Sequence, residues 1–396
     1  MTRVLGITLF LSIACAVIAG LHYYFWIRLV RDTQLSGTVR HLATTLIISL
    51  ATLIVASATL GRLVRGVGRV LAWPGFIWMG AMFILLVILL GTDIARLLVG
   101  FAARMTAAGL DPSRRVFTAR LLAGAALAGA TTVTAAAVRA TRADVAVKRV
   151  EIVLDRLPIG LDGTKIVQIC DLHIGGLLGR SFVERVVATV NRLGADVVAI
   201  VGDLVDGSIE QLRPVLAPLT TLRARHGAFF VTGNHEYYSH PGARAWTNEI
   251  DRMGIRVLRN QHVEIASERG VFDLAGVFDH GASRFPEEGP GEDVPAALAG
   301  RDASRPVVLL AHQPKAIHAA SKGEVDLQLS GHTHGGQIWP WGALVRLQQP
   351  FIRGLHRVGG TQLYVSCGTG YWGPPMRLGA PAEITEIILR AKTSTS

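Results

Sequence analysis

A two-sheet α/β sandwich flanked by helices, preceded by an α-helical transmembrane region, is the architecture this sequence predicts, and three observations carry it. The first half holds apolar runs of membrane-spanning length separated by arginines. In the second half the short apolar runs KIVQIC, DVVAIV, AFFVT, VVLLA and DLQLS are separated by polar and helix-forming stretches, as buried strands are in layered α/β proteins. Each of these runs leads directly into a short polar motif, at the carboxyl end of the expected strand, where open α/β sheets place ligands. The expected divisions are 1–111, a transmembrane region of about three helices; 112–147, a fourth apolar segment and linker; and 148–396, the globular domain.

Taken in order, apolar runs at Val4 to Trp26, Leu42 to Leu60 and Trp73 to Gly91 each approach the roughly 20 residues needed to cross a bilayer. Arginines fill the intervals: Arg28, Arg31 and Arg40, then Arg62, Arg65 and Arg69, then Arg96, Arg104, Arg114, Arg115 and Arg120. Asp93, near the end of the third run, reads as an interfacial residue whose charge reaches water rather than as a proton relay.

The fourth run, Leu121 to Val138, is short and rich in Ala, Gly and Thr, and fits a weak spanning helix, a signal-peptide core or a buried helix. Ser113-Arg114-Arg115-Val116-Phe117 just before it resembles the twin-arginine export pattern SRRxF, and Ala135-Ala136-Ala137 suits a signal peptidase; an ordinary basic flank reads equally well. If all four runs cross, eight basic residues fall on each side, so the positive-inside rule does not orient the chain. The SRRxF resemblance tips the expectation toward a multi-pass cell-membrane protein with an extracytoplasmic globular domain.

With 40 Lys plus Arg against 29 Asp plus Glu, the chain first resembles a nucleic-acid binder. Residues 1–149 hold 16 basic and 4 acidic residues, whereas residues 150–396 hold 24 and 25. The positive charge therefore flanks the apolar runs, the globular half is near neutral, and a lipid bilayer rather than nucleic acid is the expected partner.

Past a basic linker from Arg139 to Arg149, a first strand fits Val150 to Leu154. Helical spacing of Phe182, Val183, Val186, Val187, Val190 and Leu193 predicts a helix over Ser181 to Leu193. A second helix fits Ile209 to Arg225, with Pro214 and Pro218 as possible breaks. Asp279 to Ala303, rich in Gly, Pro, Glu and Asp, reads as a surface loop. Three cysteines are too few for a disulfide framework, and Cys170 reads as a buried thiol.

The chemistry sits in the five motifs: Asp171-Leu172-His173; Gly202-Asp203 with Asp206; Gly233-Asn234-His235-Glu236; His312; and Gly331-His332-Thr333-His334. Two divalent ions about 3.5 to 4 Å apart need oxygen and nitrogen donors from several loops and one shared carboxylate. Mixed Asp, Asn and His donors suit manganese, iron or zinc, whereas magnesium or calcium sites are normally all oxygen.

The ordered set DxH, GDxxD, GNHE, H and GHxH resembles the calcineurin-like metallophosphoesterases, over about Lys148 to Leu389. The resemblance implies a calcineurin-like two-sheet sandwich and two divalent metal ions. It implies further that Asp171, His173 and His334 bind the first metal, that Asp203 bridges, and that Asn234, His312 and His332 complete the second. His235 would contact phosphate and protonate the leaving alkoxide, with Asp206 and Glu236 orienting the inner residues. Protein phosphatases of the family continue the second motif as GDxVDRG; here Gly207-Ser208 follow Asp206, without that arginine. The run Gly331 to Gln337, GHTHGGQ, is instead similar to a membrane-attached or exported bacterial branch that includes phosphodiesterases and a lipid A precursor pyrophosphatase.

Candidate substrate contacts are Trp339 and Trp341, just after the GHTH run, whose indoles fit a cap on the core, a place at the headgroup level or the lining of a lipid groove equally well, and Arg377 as a candidate bidentate phosphate clamp, while His280 reads as a surface histidine. Two function classes follow. The leading one is a membrane-anchored phosphoesterase acting on phosphodiester or pyrophosphate bonds in a lipid or envelope compound. The other is a catalytically inactive sensor or binding protein of the same fold, against which the complete ligand set and His235 argue.

Overall fold

A computed structural model describes residues 2–63, 67–105 and 112–392. Arg65 lies outside the described residues, as do the side chains of Arg3, Arg62, Arg69, Arg104 and Ser113 and the domain boundary expected at 111. The chain forms two compact units, Met1–Arg139 with Gly373–Met376, and Ala140–Trp372 with Arg377–Ser396.

The first unit contains helices α1 (Thr2–Trp26), α2 (Gly37–Leu63), α3 (Val67–Met105) and α4 (Pro112–Ala140). Stretches of all four are long and apolar enough to cross a membrane: Leu11–Arg31, Gly37–Ser57, Ala72–Ala102 and Arg114–Ala140. Several polar groups of this unit are paired. Asp93 of α3 takes a hydrogen bond from the Tyr24 hydroxyl at 2.7 Å and an ion pair from Arg28 at 2.6 Å. Between α1 and α3, Trp78 donates to His22 Nε2 at 3.0 Å. The fourth apolar run is one continuous helix in which Ala119, Ala123, Ala126, Ala130 and Ala137 are buried. Small side chains at helical spacing let neighbouring backbones approach closely, which explains why this run is poor in large apolar residues.

The second unit carries twelve strands among its described residues: β1 (Ala146–Leu154), β2 (Lys165–Ile169), β3 (Val197–Val201), β4 (Ala228–Val231), β5 (Arg256–Val257), β6 (Gln261–Ser267), β7 (Gly270–Gly276), β8 (Val307–Leu310), β9 (Leu327–Ser330), β10 (Gly354–Val358), β11 (Thr361–Val365) and β12 (Glu383–Ala391). They form two six-stranded sheets, ordered β1-β12-β2-β3-β4-β5 and β10-β11-β9-β8-β7-β6. Alternation along the strands splits each sheet between two cores. Ile166, Val197, Ala199 and Val201 face the second sheet's Leu274, Val308, Leu310, Leu327 and Leu329. Val167, Ile169, Val198 and Ile200 pack on helices α5 (Arg180–Arg192), α6 (Ile209–Leu216) and the helix Ala243–Arg252 through Val183, Val187, Leu212, Trp246 and Ile250. The predicted sandwich flanked by helices is the observed one.

Several boundaries differ from those predicted. Strand β1 starts at Ala146 because parallel pairing with β12 begins there, opposite Glu383. The helix expected over Ile209 to Arg225 ends at Leu216 and continues as a tighter 3-10 turn over Ala217–Thr221, where Pro218 cannot donate its backbone hydrogen bond. The expected loop Asp279 to Ala303 contains two 3-10 turns and a short helix, Val294–Leu298, that buries Val294 and Ala297. Cys170 lies in the core between the sheets.

Candidate metal centre

Every motif residue sits just past a strand: Asp171 after β2, Asp203 after β3, Asn234 after β4, His312 after β8 and His332 after β9. The parallel neighbours β2-β3-β4 of one sheet and β8-β9 of the other bring these loops to one end of the sandwich. Nine non-glycine residues have positive φ among the described residues, and five of them are expected ligands: Asp171, His173, Asp203, His332 and His334. Such backbone is costly for residues with a Cβ, and its concentration here marks a site over-determined by its surroundings. Two glycines permit the close approach of loops. A Cβ at Gly233 would run into the Asp203 carboxylate, and one at Gly331 would run into Asp171.

The donors converge into two groups. Asp171, His173 and His334 place one donor atom each within 4.8 Å of the others, and so do Asp203, His312 and His332. His173 and His334 point their Nε2 atoms at each other at 3.1 Å. Asp203 lies between the groups, its Oδ2 3.2 Å from His312 Nε2 and 3.8 Å from His173 Nε2. His173, Asp203 and His235 form a third close set, so distance alone leaves His235 within reach of an ion.

The hydrogen bonds around these groups fix which atoms face inward. His312 uses Nδ1 on the Val201 carbonyl at 2.8 Å, and its buried Nε2 faces Asp203 Oδ2 at 3.2 Å without making a formed hydrogen bond. Asn234 Oδ1 is likewise buried without a partner. Buried polar atoms are normally satisfied, so two orphans among facing carboxylate and imidazole donors fit divalent cations. Burial, then the neighbouring charge of His312, pushes His332 down to about 3. Burial and then His173 hold His334 well below its ordinary value too. Neutral imidazole is the form that binds metal.

Asp206 joins the two sides of the site. Its Oδ2 meets His173 Nδ1 at 3.1 Å and its Oδ1 meets His235 Nδ1 at 2.5 Å. Burial alone would raise this carboxyl, but the hydrogen bonds with His173 and His235 outweigh it and keep it ionised well below the usual range. For His235, burial opposes protonation, yet the charges of Asp203 and Asp206 prevail and raise it to about 9. Glu236 acts on backbone: its carboxylate accepts from Gly233 N at 2.6 Å, Leu204 N at 2.8 Å, Asp203 N at 3.1 Å and Val205 N at 3.3 Å. It thereby clamps the loops after β3 and β4 together. Burial and then the Asp203 charge push its carboxyl upward, and the backbone N–H groups of Gly233 and Leu204 act against them to keep it an acceptor.

The expected substrate residues fare differently. Trp339 and Trp341 are 68% and 47% exposed. Arg377 is corrected: it is buried, and its guanidinium donates to the carbonyls of His334, Cys367, Ala380, Gly368 and Gly370. A fork so occupied holds the loops behind His334 and is not free to grip phosphate. His280 is half-exposed and lies 3.5 Å from Glu292. Two residues that sequence reasoning missed meet the His235 ring edge to face, Tyr238 at 5.5 Å and Trp372 at 5.7 Å. A cleft of about 660 Å³, lined by Asn191, Arg223 and Arg225 among others, opens at the amino ends of β3 and β4 and contains none of the donors.

Comparison with known proteins agrees with this geometry. The family model for calcineurin-like phosphoesterases matches residues 164–336. The chain is similar to an uncharacterized metallophosphoesterase of Helicobacter pylori (strain J99), 43% identical over 230 residues that cover 58% of this chain and 60% of that protein. A transmembrane protein with metallophosphoesterase domain from Danio rerio is 42% identical over 236 residues, 58% of this chain and 54% of that protein. An uncharacterized metallophosphoesterase of Aquifex aeolicus is 34% identical over 230 residues, and there the match covers 85% of the relative. The chain spans 60% or less of the length of the first two of these relatives.

Proposed function

The chain belongs to the calcineurin-like metallophosphoesterase family, and on that premise we propose that it is a membrane-anchored, two-metal hydrolase of phosphodiester or pyrophosphate bonds in amphiphilic, lipid-linked or envelope substrates. The observation that carries the reading is the convergence of six Asp and His donors, with His312 Nε2 and Asn234 Oδ1 buried and without a hydrogen-bond partner.

In this reading Asp171, His173 and His334 hold one ion, Asn234, His312 and His332 hold the other, and Asp203 is shared. Manganese, iron or zinc suits the mixed donor set. Bound ions supply an activated water at neutral pH and neutralise charge on the phosphoryl oxygens. The remaining work falls to the chain. His235 gives its Nδ1 proton to the hydrogen bond with Asp206, which directs the Nε2 proton toward a phosphate oxygen and then the leaving alkoxide. Asp206 keeps both His173 and His235 in the orientation this requires, and Glu236 holds the loops that carry Asp203 and Asn234.

Support for an amphiphilic substrate comes from the segment after the GHTH run. Trp339, Trp341, Leu344 and Leu347 are exposed, Leu347 at 82%. From Leu327 to Ala382 the sequence has no acidic residue and contains Arg346, Arg353 and Arg357 besides the buried Arg377. An apolar, positively charged face on a chain with four candidate membrane helices suits the headgroup region of a bilayer.

The full chain in detergent, loaded with each metal in turn and offered amphiphilic diesters, pyrophosphates, phosphopeptides and nucleotides, tests the reaction. Turnover is expected on the first two. Preference for phosphopeptides would reject the substrate class, and metal binding without turnover on any ester would favour the inactive sensor. The extracytoplasmic placement is tested by a reporter that fluoresces only in the cytoplasm, fused after Ser396, which is expected to stay dark in intact cells.

A further inference from the structure

His235 is approached by two aromatic rings that the metal centre does not use. Tyr238, 57% exposed, meets it at 5.5 Å and 66°, and Trp372, 56% exposed, meets it at 5.7 Å and 73°. Tyr238 comes from the helix Asn234–Tyr238 that carries His235, and Phe285 supports it from outside at 5.7 Å. Trp372 is distant in sequence and is held by its backbone. Gln337 donates from Nε2 to the Trp372 carbonyl at 2.8 Å and accepts from the Trp372 N–H on Oε1 at 3.0 Å. That two-point clamp comes from the last residue of the GHTHGGQ run, itself at a φ of +47°. Left-handed backbone at a glutamine and a side-chain amide that engages both the N–H and the carbonyl of one residue are a large commitment for placing one indole.

The leaving oxygen of an ester cleaved here has to come within hydrogen-bond reach of His235 Nε2, because Nδ1 is bonded to Asp206. The carbon substituent on that oxygen then lies against whatever flanks the same imidazole. We infer that Tyr238 and Trp372, the latter positioned by Gln337, form the subsite for the leaving alcohol, and that this subsite takes an apolar group directly beside the scissile phosphate. The inference rests on the phosphoesterase reading and on His235 as the acid. It adds which side of the phosphate carries the apolar stem.

The test uses the full, metal-loaded chain in detergent and two diesters that share one alcohol and differ in the other, 2-phenylethyl against ethyl, released by hydrolysis and quantified as free alcohol. These alcohols are similarly acidic, so the ratio of their kcat/KM values reads contact rather than bond chemistry. The wild-type chain is expected to favour the phenylethyl ester about tenfold, the low end for an extra apolar group in a partly open site. Trp372→Ala and Gln337→Ala should each erase most of that ratio through KM, while Trp372→Phe keeps it. No preference in the wild type, or an equal loss on both esters in Trp372→Ala, would overturn the subsite while leaving ethyl-ester hydrolysis, and so the phosphoesterase reading, intact. Loss of bound metal in Gln337→Ala would overturn its assignment as a positioning residue for Trp372. Absence of turnover on both esters would remove the two readings together.

Discussion

The seven candidate donors and the aromatic side chains around them differ in burial, in backbone and in what holds them. All seven donors follow strands on loops with left-handed backbone or an orphaned polar atom, closed in by Asp206, Glu236 and the buried fork of Arg377. Tyr238, Trp372, Trp339 and Trp341 are all close to half exposed or more, and Trp372 depends on one glutamine for its place. The interior is over-constrained and the rim is lightly held. Reaction type is a property of the first, and choice among esters can change in the second without disturbing it.

The strongest way to break the interior is at the carboxylate between the two donor groups. Asp203→Asn removes the shared negative charge, and activity should fall to background with weaker binding of both metals, measured by turnover and by elemental analysis of the purified chain. An active variant retaining two metals would end the bridging assignment. His235→Ala separates acid from ligand: turnover should drop roughly 10² to 10⁴-fold, the usual span for a general acid, with metal content unchanged. Loss of metal alongside turnover would move His235 into the third donor set described above.

A smaller effect is expected one layer out. Glu236→Gln turns an amide N–H₂ toward backbone N–H groups that now meet a carboxylate, leaving donors facing donors between the loops of Asp203 and Asn234. Metal affinity should weaken by about 10 to 100-fold, read by titration against a chelator. At the rim, Trp339→Ala and Trp341→Ala should raise KM for an amphiphilic diester by roughly three- to tenfold, about 1 kcal/mol of lost apolar contact, and less for a small chromogenic diester. Equal changes on both substrates would make these two tryptophans purely structural.

The interior was largely legible before any coordinates. Asp171, Asp203, Asn234, His312 and His332 each terminate an apolar run, and strand-end placement is a local property that spacing reveals. The sandwich followed from the same runs, although its edge strands did not: β1 gains its first four residues only by pairing with β12, more than 200 positions away. The rim was not legible. Trp372 acquires its place from Gln337 across 35 residues, and neither residue carries a charge or periodicity that announces the pairing. Arg377 misled for a related reason. Sequence supplies its type and its neighbourhood, while its role turns on five carbonyls gathered from three turns of chain.

The left-handed backbone at Asp171, His173, Asp203, His332 and His334 also says something about how this chain tolerates change. Without ions, each of these residues holds a left-handed backbone that glycine would adopt without the Cβ penalty. Substitutions that destroy the centre can therefore make the metal-free chain melt at a higher temperature, and a screen for thermal stability alone would select against the reaction. Stability and chemistry are opposed at the same five positions, so a lineage that lost the need for hydrolysis would be drawn to erode this cluster first, leaving the sandwich intact around it.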